Sequence, residues 1–267
     1  MLVINIVTIN QHELIKTFHK FELMKITLIT TLITLVIYFS SCYSIVANKM
    51  GMEDLSPKVT KLSLPNKEVY FVGMAHLGKK EFYENTKKIL ADFQNKGFVV
   101  YVESVSELDS SKRIIDTTYL KKLRKITGLD LTVKYSQNSN PILKKFIKKY
   151  NLVDQPKYEL LGVNNYTRVD YDYMDLINLY EKKYTTIELD SCDIKTGLKE
   201  EYKCTVDKQK RYAFSKEIID NARNKLVAKS IINSDDKKIV IIYGKAHLDG
   251  IQQELKQSIN NKNFNNK

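Results

Sequence analysis

The sequence predicts a single α/β domain with a mostly parallel central sheet flanked by helices, entered through an N-terminal hairpin. Three observations carry that prediction. Short apolar runs at residues 69–72, 98–102 and 239–243 have strand length. Between them lie longer stretches whose apolar residues recur at helical spacing. The pattern Gly-x-Ala-His-Leu follows two of the runs, as Gly73-Met74-Ala75-His76-Leu77 and Gly244-Lys245-Ala246-His247-Leu248.

Taken in order, residues 58–64 alternate apolar and polar, and Pro65-Asn66 turns the chain into residues 69–72, so the two segments read as a hairpin. Phe82, Tyr83, Ile89, Leu90 and Phe93 mark a helix over 80–96, stopped by Gly97. Phe98-Val99-Val100-Tyr101-Val102 reads as a buried strand ending at Glu103. Strand, helix and strand of these lengths form a right-handed crossover whose neighbouring strands run parallel. Residues 120–126 and 141–150 are short basic helical pieces, and 158–163 reads as a short strand. Residues 173–184 have helical spacing, and 190–207 is an irregular excursion. A long helix is expected over 209–232, with Ile218, Ile219, Leu226, Val227, Ile231 and Ile232 as its apolar positions. Strand 239–243, His247 and a helix over 251–259 complete the domain, placed at 58–260. A polar tail at 261–267 is expected to fray.

The leader points to export. Residues 26–39 are almost wholly apolar, follow Met24-Lys25 and precede Ser40-Ser41-Cys42. The run falls short of the roughly 20 residues of a membrane span. A charged start, an apolar centre and small residues before a break describe a secretory signal, here residues 1–41 with Met24 as the expected start and an uncleaved membrane anchor as the alternative. Cys42 after two serines resembles a bacterial lipoprotein signal. That implies lipidation of Cys42, a membrane anchor facing outside the cytoplasm, and a tether over 42–57. Of the three cysteines, Cys192 and Cys204 then remain as a pair in an exported protein, read as a disulfide with two free thiols as the alternative.

The formal charge is +12, carried mostly by lysines dispersed among glutamate, aspartate and asparagine. This reads as a solvated surface, and no nucleic-acid-binding pattern is present. Expected partners are a peptide or small-molecule substrate and a membrane, with no nucleic acid.

Four histidines occur, and His12 and His19 lie in the leader. His76 and His247 are left, at equivalent points of two strand-end motifs, and Glu103 ends a third strand. In parallel α/β sheets ligands bind beyond the carboxyl ends of the strands. A carboxylate ending an apolar strand is costly unless it is exposed in a cleft or paired. Gly73 and Gly244 allow a tight strand exit and close backbone approach. Two imidazoles and a carboxylate are a usual ligand set for a catalytic divalent ion with an open position, zinc among them. They serve equally as a base pair with a carboxylate, or as a histidine oriented by one.

At these residues the chain resembles the TraB, GumN and Tiki family, related more distantly to erythromycin esterase and ChaN lipoproteins. That family carries two Gly-x-x-His motifs, a glutamate ending the strand after the first, and an arginine on the helix before the second. Gly73 to His76, Gly244 to His247, Glu103, and Arg223 in Asn221-Ala222-Arg223-Asn224 match these in order. Val169-Asp170 loosely matches the family's mid-domain aspartate. After Glu103 the family has leucine, aspartate and a nearby arginine, whereas this chain has Ser104-Val105-Ser106 and a more distant Arg113.

The resemblance implies a metal-dependent hydrolase of peptide or amide bonds using manganese or cobalt. His76, His247 and Glu103 would hold the ion or move protons, and Arg223 would bind a substrate carboxylate or stabilise an oxyanion. Likeness to erythromycin esterase implies instead a metal-independent, esterase-like hydrolase. Likeness to ChaN and TraB implies a haem- or peptide-binding lipoprotein without catalysis. The 17 tyrosines offer haem ligands in principle but read as ordinary packing.

Overall fold

The computed structural model describes residues 51, 53–104, 117–129, 134–137, 141–198 and 200–265. The expected signal segment, Cys42, most of the tether, Val105, Ser106 and Arg113 lie outside these residues. In chain order the strands and helices are β1 (Val59–Leu64), β2 (Lys67–Met74), β3 (Leu77–Gly78), α1 (Lys80–Asn95), β4 (Val99–Val102), α2 (Thr117–Thr127), α3 (Pro141–Tyr150) and β5 (Val153–Asp154). They continue as β6 (Thr167–Arg168), α4 (Tyr173–Lys183), α5 (Ser191–Lys195), α6 (Lys208–Ala213), α7 (Arg223–Asn233), β7 (Lys238–Gly244) and α8 (Leu248–Asn265).

The main sheet has five strands in the order β1-β2-β7-β4-β6. β1 is antiparallel to β2 around Pro65-Asn66, where Asn66 takes the left-handed φ of 62° that asparagine tolerates in turns. The other pairings, β2 with β7, β7 with β4 and β4 with β6, are all parallel. The last strand of the chain is therefore inserted between the two strands that α1 connects, with Ile239 opposite both Val69 and Val99. This insertion brings the two histidine corners onto neighbouring strands, and Met74 faces Gly244 where they end.

β7 shows why the sheet is covered on both faces. Ile239, Ile241 and Tyr243 pack with Phe71, Tyr101, Val227, Ile231, Ile251 and Leu255, beneath α7 and α8. Val240 and Ile242 face the other way, onto Phe82, Leu90 and Phe93 of α1 and onto Leu161 and Val163. A strand buried on both sides must be apolar throughout, as this one is from Ile239 to Tyr243. Each fully buried Val or Ile contributes roughly 1.5–3 kcal/mol relative to exposure. A third cluster, with Leu123, Ile126, Leu176, Ile177, Tyr180, Phe214 and Ile218, joins α2 and α4 to the long helix ahead of α7.

α1 stops where Gly97, at φ 78°, lets its own N–H return to Gln94 and the Phe98 N–H to Phe93. The expected helix over 209–232 is continuous from α6 into α7 but not uniform. Phe214–Ala222 is a π-helical stretch, and right-handed helical backbone runs unbroken through Ala213, Phe214, Ala222 and Arg223. Wide turns of this kind are rare and often lie at functional sites.

Three expectations are corrected, and the expected Cys192–Cys204 disulfide is present. The strand expected over 158–163 is a 3₁₀ turn at Tyr158–Leu161, because Gly162 adopts φ 81° and the N–H groups of Gly162 and Val163 return to Glu159 and Tyr158. The irregular stretch over 190–207 contains α5, opened by an Asp190–Asp193 capping box. α8 begins at Leu248 and continues to Asn265, through most of the tail expected to fray. Cys192 and Cys204 form a disulfide, with Cα atoms 5.9 Å apart. Among the described residues no helix is long and apolar enough to cross a membrane.

Candidate active site

Four parallel strands deliver a polar side chain at their carboxyl ends. β2 leads to His76, β4 to Glu103, β6 to Asp170 and β7 to His247. The Glu103 N–H extends the ladder to the Ile242 carbonyl at 2.9 Å, and Val169 N–H bonds the Val102 carbonyl at 3.1 Å. The loop bearing His76 is pinned by the small β3–β5 sheet, and its carbonyl accepts from Gln155 N–H at 2.9 Å.

Arg223, from the first turn of α7, joins three of these residues. Its Nε donates to Asp170 Oδ1 at 2.8 Å, and its Nη2 donates to Asp170 Oδ2 at 2.7 Å and to Glu103 Oε1 at 2.6 Å. Its Nη1 lies 3.4 Å from His247 Nε2, and its guanidinium carbon sits 5.2 Å from the Tyr243 ring centre. The side chains of Arg223, Glu103 and Asp170 are 5, 11 and 0 % exposed, so this is a buried ion cluster. One guanidinium against two carboxylates leaves a single net negative charge in it.

His247 is buried, and its Nδ1 lies 2.8 Å from Asn224 Oδ1. An amide oxygen only accepts, so Nδ1 carries the ring proton and Nε2 presents its lone pair to Arg223. Gly250 makes this possible: a Cβ there would sit 2.0 Å from Asn224 Nδ2. Gly244 has a similar role, since its N–H donates to Glu103 Oε2 and a Cβ would lie 3.1 Å from that oxygen and 3.5 Å from His247 Cδ2. The glycine that opens the second histidine motif thus lets the carboxylate of a neighbouring strand approach closely.

Burial penalises the charge on Glu103, but Arg223 and the two imidazoles outweigh it and hold the carboxyl below the usual carboxylate range. Burial and the charge of Arg223 push His247 down, so its ring is neutral near pH 7. Against the cost of its own burial, the hydrogen bond to Asp170 and the charge of Glu103 push Arg223 further up, so it remains a cation. Burial raises Tyr158, whose hydroxyl donates to the Glu103 carbonyl.

His76 is exposed, and its ring stacks on Tyr135 with centres 5.3 Å apart and planes 11° from parallel. It lines a cleft of about 580 Å³ together with Glu103, Arg223, Tyr135, Tyr158 and Phe214. His247 does not line it; that ring is held behind Arg223.

These positions test the divalent ion expected at His76, His247 and Glu103. Both Glu103 oxygens already accept hydrogen bonds, and the His247 lone pair faces a guanidinium. Among the described residues no group of three or more His, Cys, Asp or Glu side chains is placed to hold a metal. The three side chains therefore do not fit a shared ion in this arrangement. His76 and Glu103 remain together at the cleft, and Asp170, matched only loosely in the sequence, is a full member of the cluster.

Asn224, Tyr135, Tyr158 and Gly250 join the site without being expected there from the sequence. Asn224 had a signal, standing directly after Arg223 on the same helix. Tyr135 and Tyr158 sit in 3₁₀ turns, where no periodicity marks a residue. Comparison with family models, with curated proteins and with solved structures finds no match to this chain.

Proposed function

We propose that the chain is an exported hydrolase of amide or ester bonds in which His76 is the general base, without a metal. One observation carries this reading: His76 is the exposed imidazole of a cleft, while Glu103, His247 and Asp170 are already engaged by Arg223. His76 takes a proton from water as it attacks the carbonyl, and returns it to the leaving group. The Glu103 carboxylate, ionised at neutral pH, stabilises the imidazolium formed in between. Arg223 has five N–H donors, four of which are used by Asp170, Glu103 and His247. Among the described residues the fifth has no acceptor, and it is offered to the oxyanion in the cleft that Arg223 lines.

Convergence of Glu103, Asp170, Arg223 and His247, with His76 at the same strand ends, supports the resemblance to the TraB, GumN and Tiki family. The Cys192–Cys204 disulfide supports an oxidising compartment, which is where a lipid anchor through Cys42 would place the domain.

A second reading, a metal-dependent hydrolase of peptide bonds, is favoured by the net negative charge of the cluster beside His76. The test is hydrolysis of a fluorogenic panel of esters and peptides with and without chelator. Activity that survives chelation and falls in His76→Asn supports the first reading. Activity abolished by chelation and restored by manganese, cobalt or zinc supports the second.

A further inference from the structure

The geometry points to a substrate that carries a small anionic group on an apolar or aromatic body, with the anion bound at Lys134, Lys157 and Arg211. This deepens the hydrolase reading and rests on it for the chemistry, while its test is a binding measurement. All three cations are exposed and line the cleft that holds His76. Among the described residues none of them has a carboxylate within ion-pair distance. Asp154, the one acidic lining residue besides Glu103, is committed to the Ser136 N–H and hydroxyl.

Apart from Arg223, whose charge is offset by Glu103 and Asp170, the cleft's lining thus holds three cations against the single carboxylate of Asp154. Apolar walls strengthen the effect, because a cleft lined by one sign of charge with low-dielectric walls focuses the field on what enters. Those walls are Tyr135, Tyr158, Tyr173, Phe214, Leu176 and Ile219. They suit a ring or branched side chain, and the cavity has the size of ordinary small-molecule sites. A terminal carboxylate and a phosphate monoester share this chemistry.

Binding to the purified protein is measured by calorimetry with N-acetylphenylalanine, its neutral amide, and phenyl phosphate. The carboxylate is expected to bind about tenfold more tightly than the amide at low salt, an advantage that shrinks as ionic strength rises. In the triple variant K134Q/K157Q/R211Q the advantage disappears while the affinity for the amide and the melting temperature hold. Phenyl phosphate tighter than N-acetylphenylalanine makes the natural anion a phosphate, and the reverse makes it a carboxylate. Equal affinity for acid and amide, no measurable binding of any probe, or an advantage that persists in the triple variant overturns the inference. Selective binding without any hydrolysis supports the site and overturns the hydrolase reading instead.

Discussion

Arg223 Nη2 donates to Glu103 Oε1 at 2.6 Å, joining the first turn of α7 to the end of β4 inside the protein. The same nitrogen reaches Asp170 at 2.7 Å, so one guanidinium ties two strand ends to the helix layer. Removing it strands two buried carboxylates. Arg223→Met is expected to cost about 3–5 kcal/mol, the usual penalty for breaking a buried ion pair from one side. Arg223→Lys keeps the charge but loses the planar fork, and should fall between the variant and the parent. Urea denaturation of the three proteins orders them; equal midpoints would show that the cluster contributes nothing to stability.

Asn224 and Gly250 fix the orientation of His247. Gly250→Ala places a Cβ against Asn224 Nδ2, and the amide must move off the imidazole. The loss of that hydrogen bond should cost about 1 kcal/mol. It should also free the His247 tautomer, visible as changed imidazole nitrogen shifts by NMR. Unchanged shifts would mean that Asn224 does not set the tautomer.

Burial and Arg223 depress the pKa of His247, so the unfolded chain binds a proton there more readily than the folded one. Stability from this group is present above the unfolded value, about 6.5, and is lost as the pH falls through the lower folded value. Glu103 acts in the same direction at lower pH, being held down by Arg223 and the imidazoles against its burial. Thermal melts are expected to show loss of stability beginning below about pH 7, and His247→Gln should remove that first limb. A parent melting temperature flat from pH 7 to pH 5 contradicts the assignment of His247 as buried and neutral.

The disulfide closes an excursion that is also held by ion pairs and hydrogen bonds. Lys125 pairs with Asp190 and Asp193, and buried Arg124 donates to the carbonyls of Thr196 and Gly197 at 2.7 Å. Replacing both cysteines by serine should cost up to about 3 kcal/mol, the scale for closing a short loop. The helix α2 beside it should still anchor the segment, so protease nicking between Asp193 and Lys203 should rise only modestly. Rapid cleavage there would show that the bridge alone holds the segment.

Much of this arrangement could be read from residue types. The doubly covered strand β7 is apolar at every inward position, and the repeated Gly-x-Ala-His-Leu pattern marks two strand ends that lie side by side. Three features were hidden for physical reasons. β3, β5 and β6 are two residues long, too short for any alternation to register. The π-helical stretch before Arg223 keeps ordinary helical spacing in its apolar residues, so nothing announces the wide turns. The partner of His247 is an arginine and an asparagine on another helix, a tertiary choice that strand-end spacing does not encode.

The central claim is that the exposed imidazole of His76 is the base of a hydrolytic cleft. Its most direct test is kcat/KM for His76→Asn on the best substrate of the ester and peptide panel, in excess chelator. A fall of about 10²–10⁴-fold with an unchanged melting temperature is expected, since general-base catalysis has that scale and His76 is exposed. A variant that retains the parent's rate contradicts it.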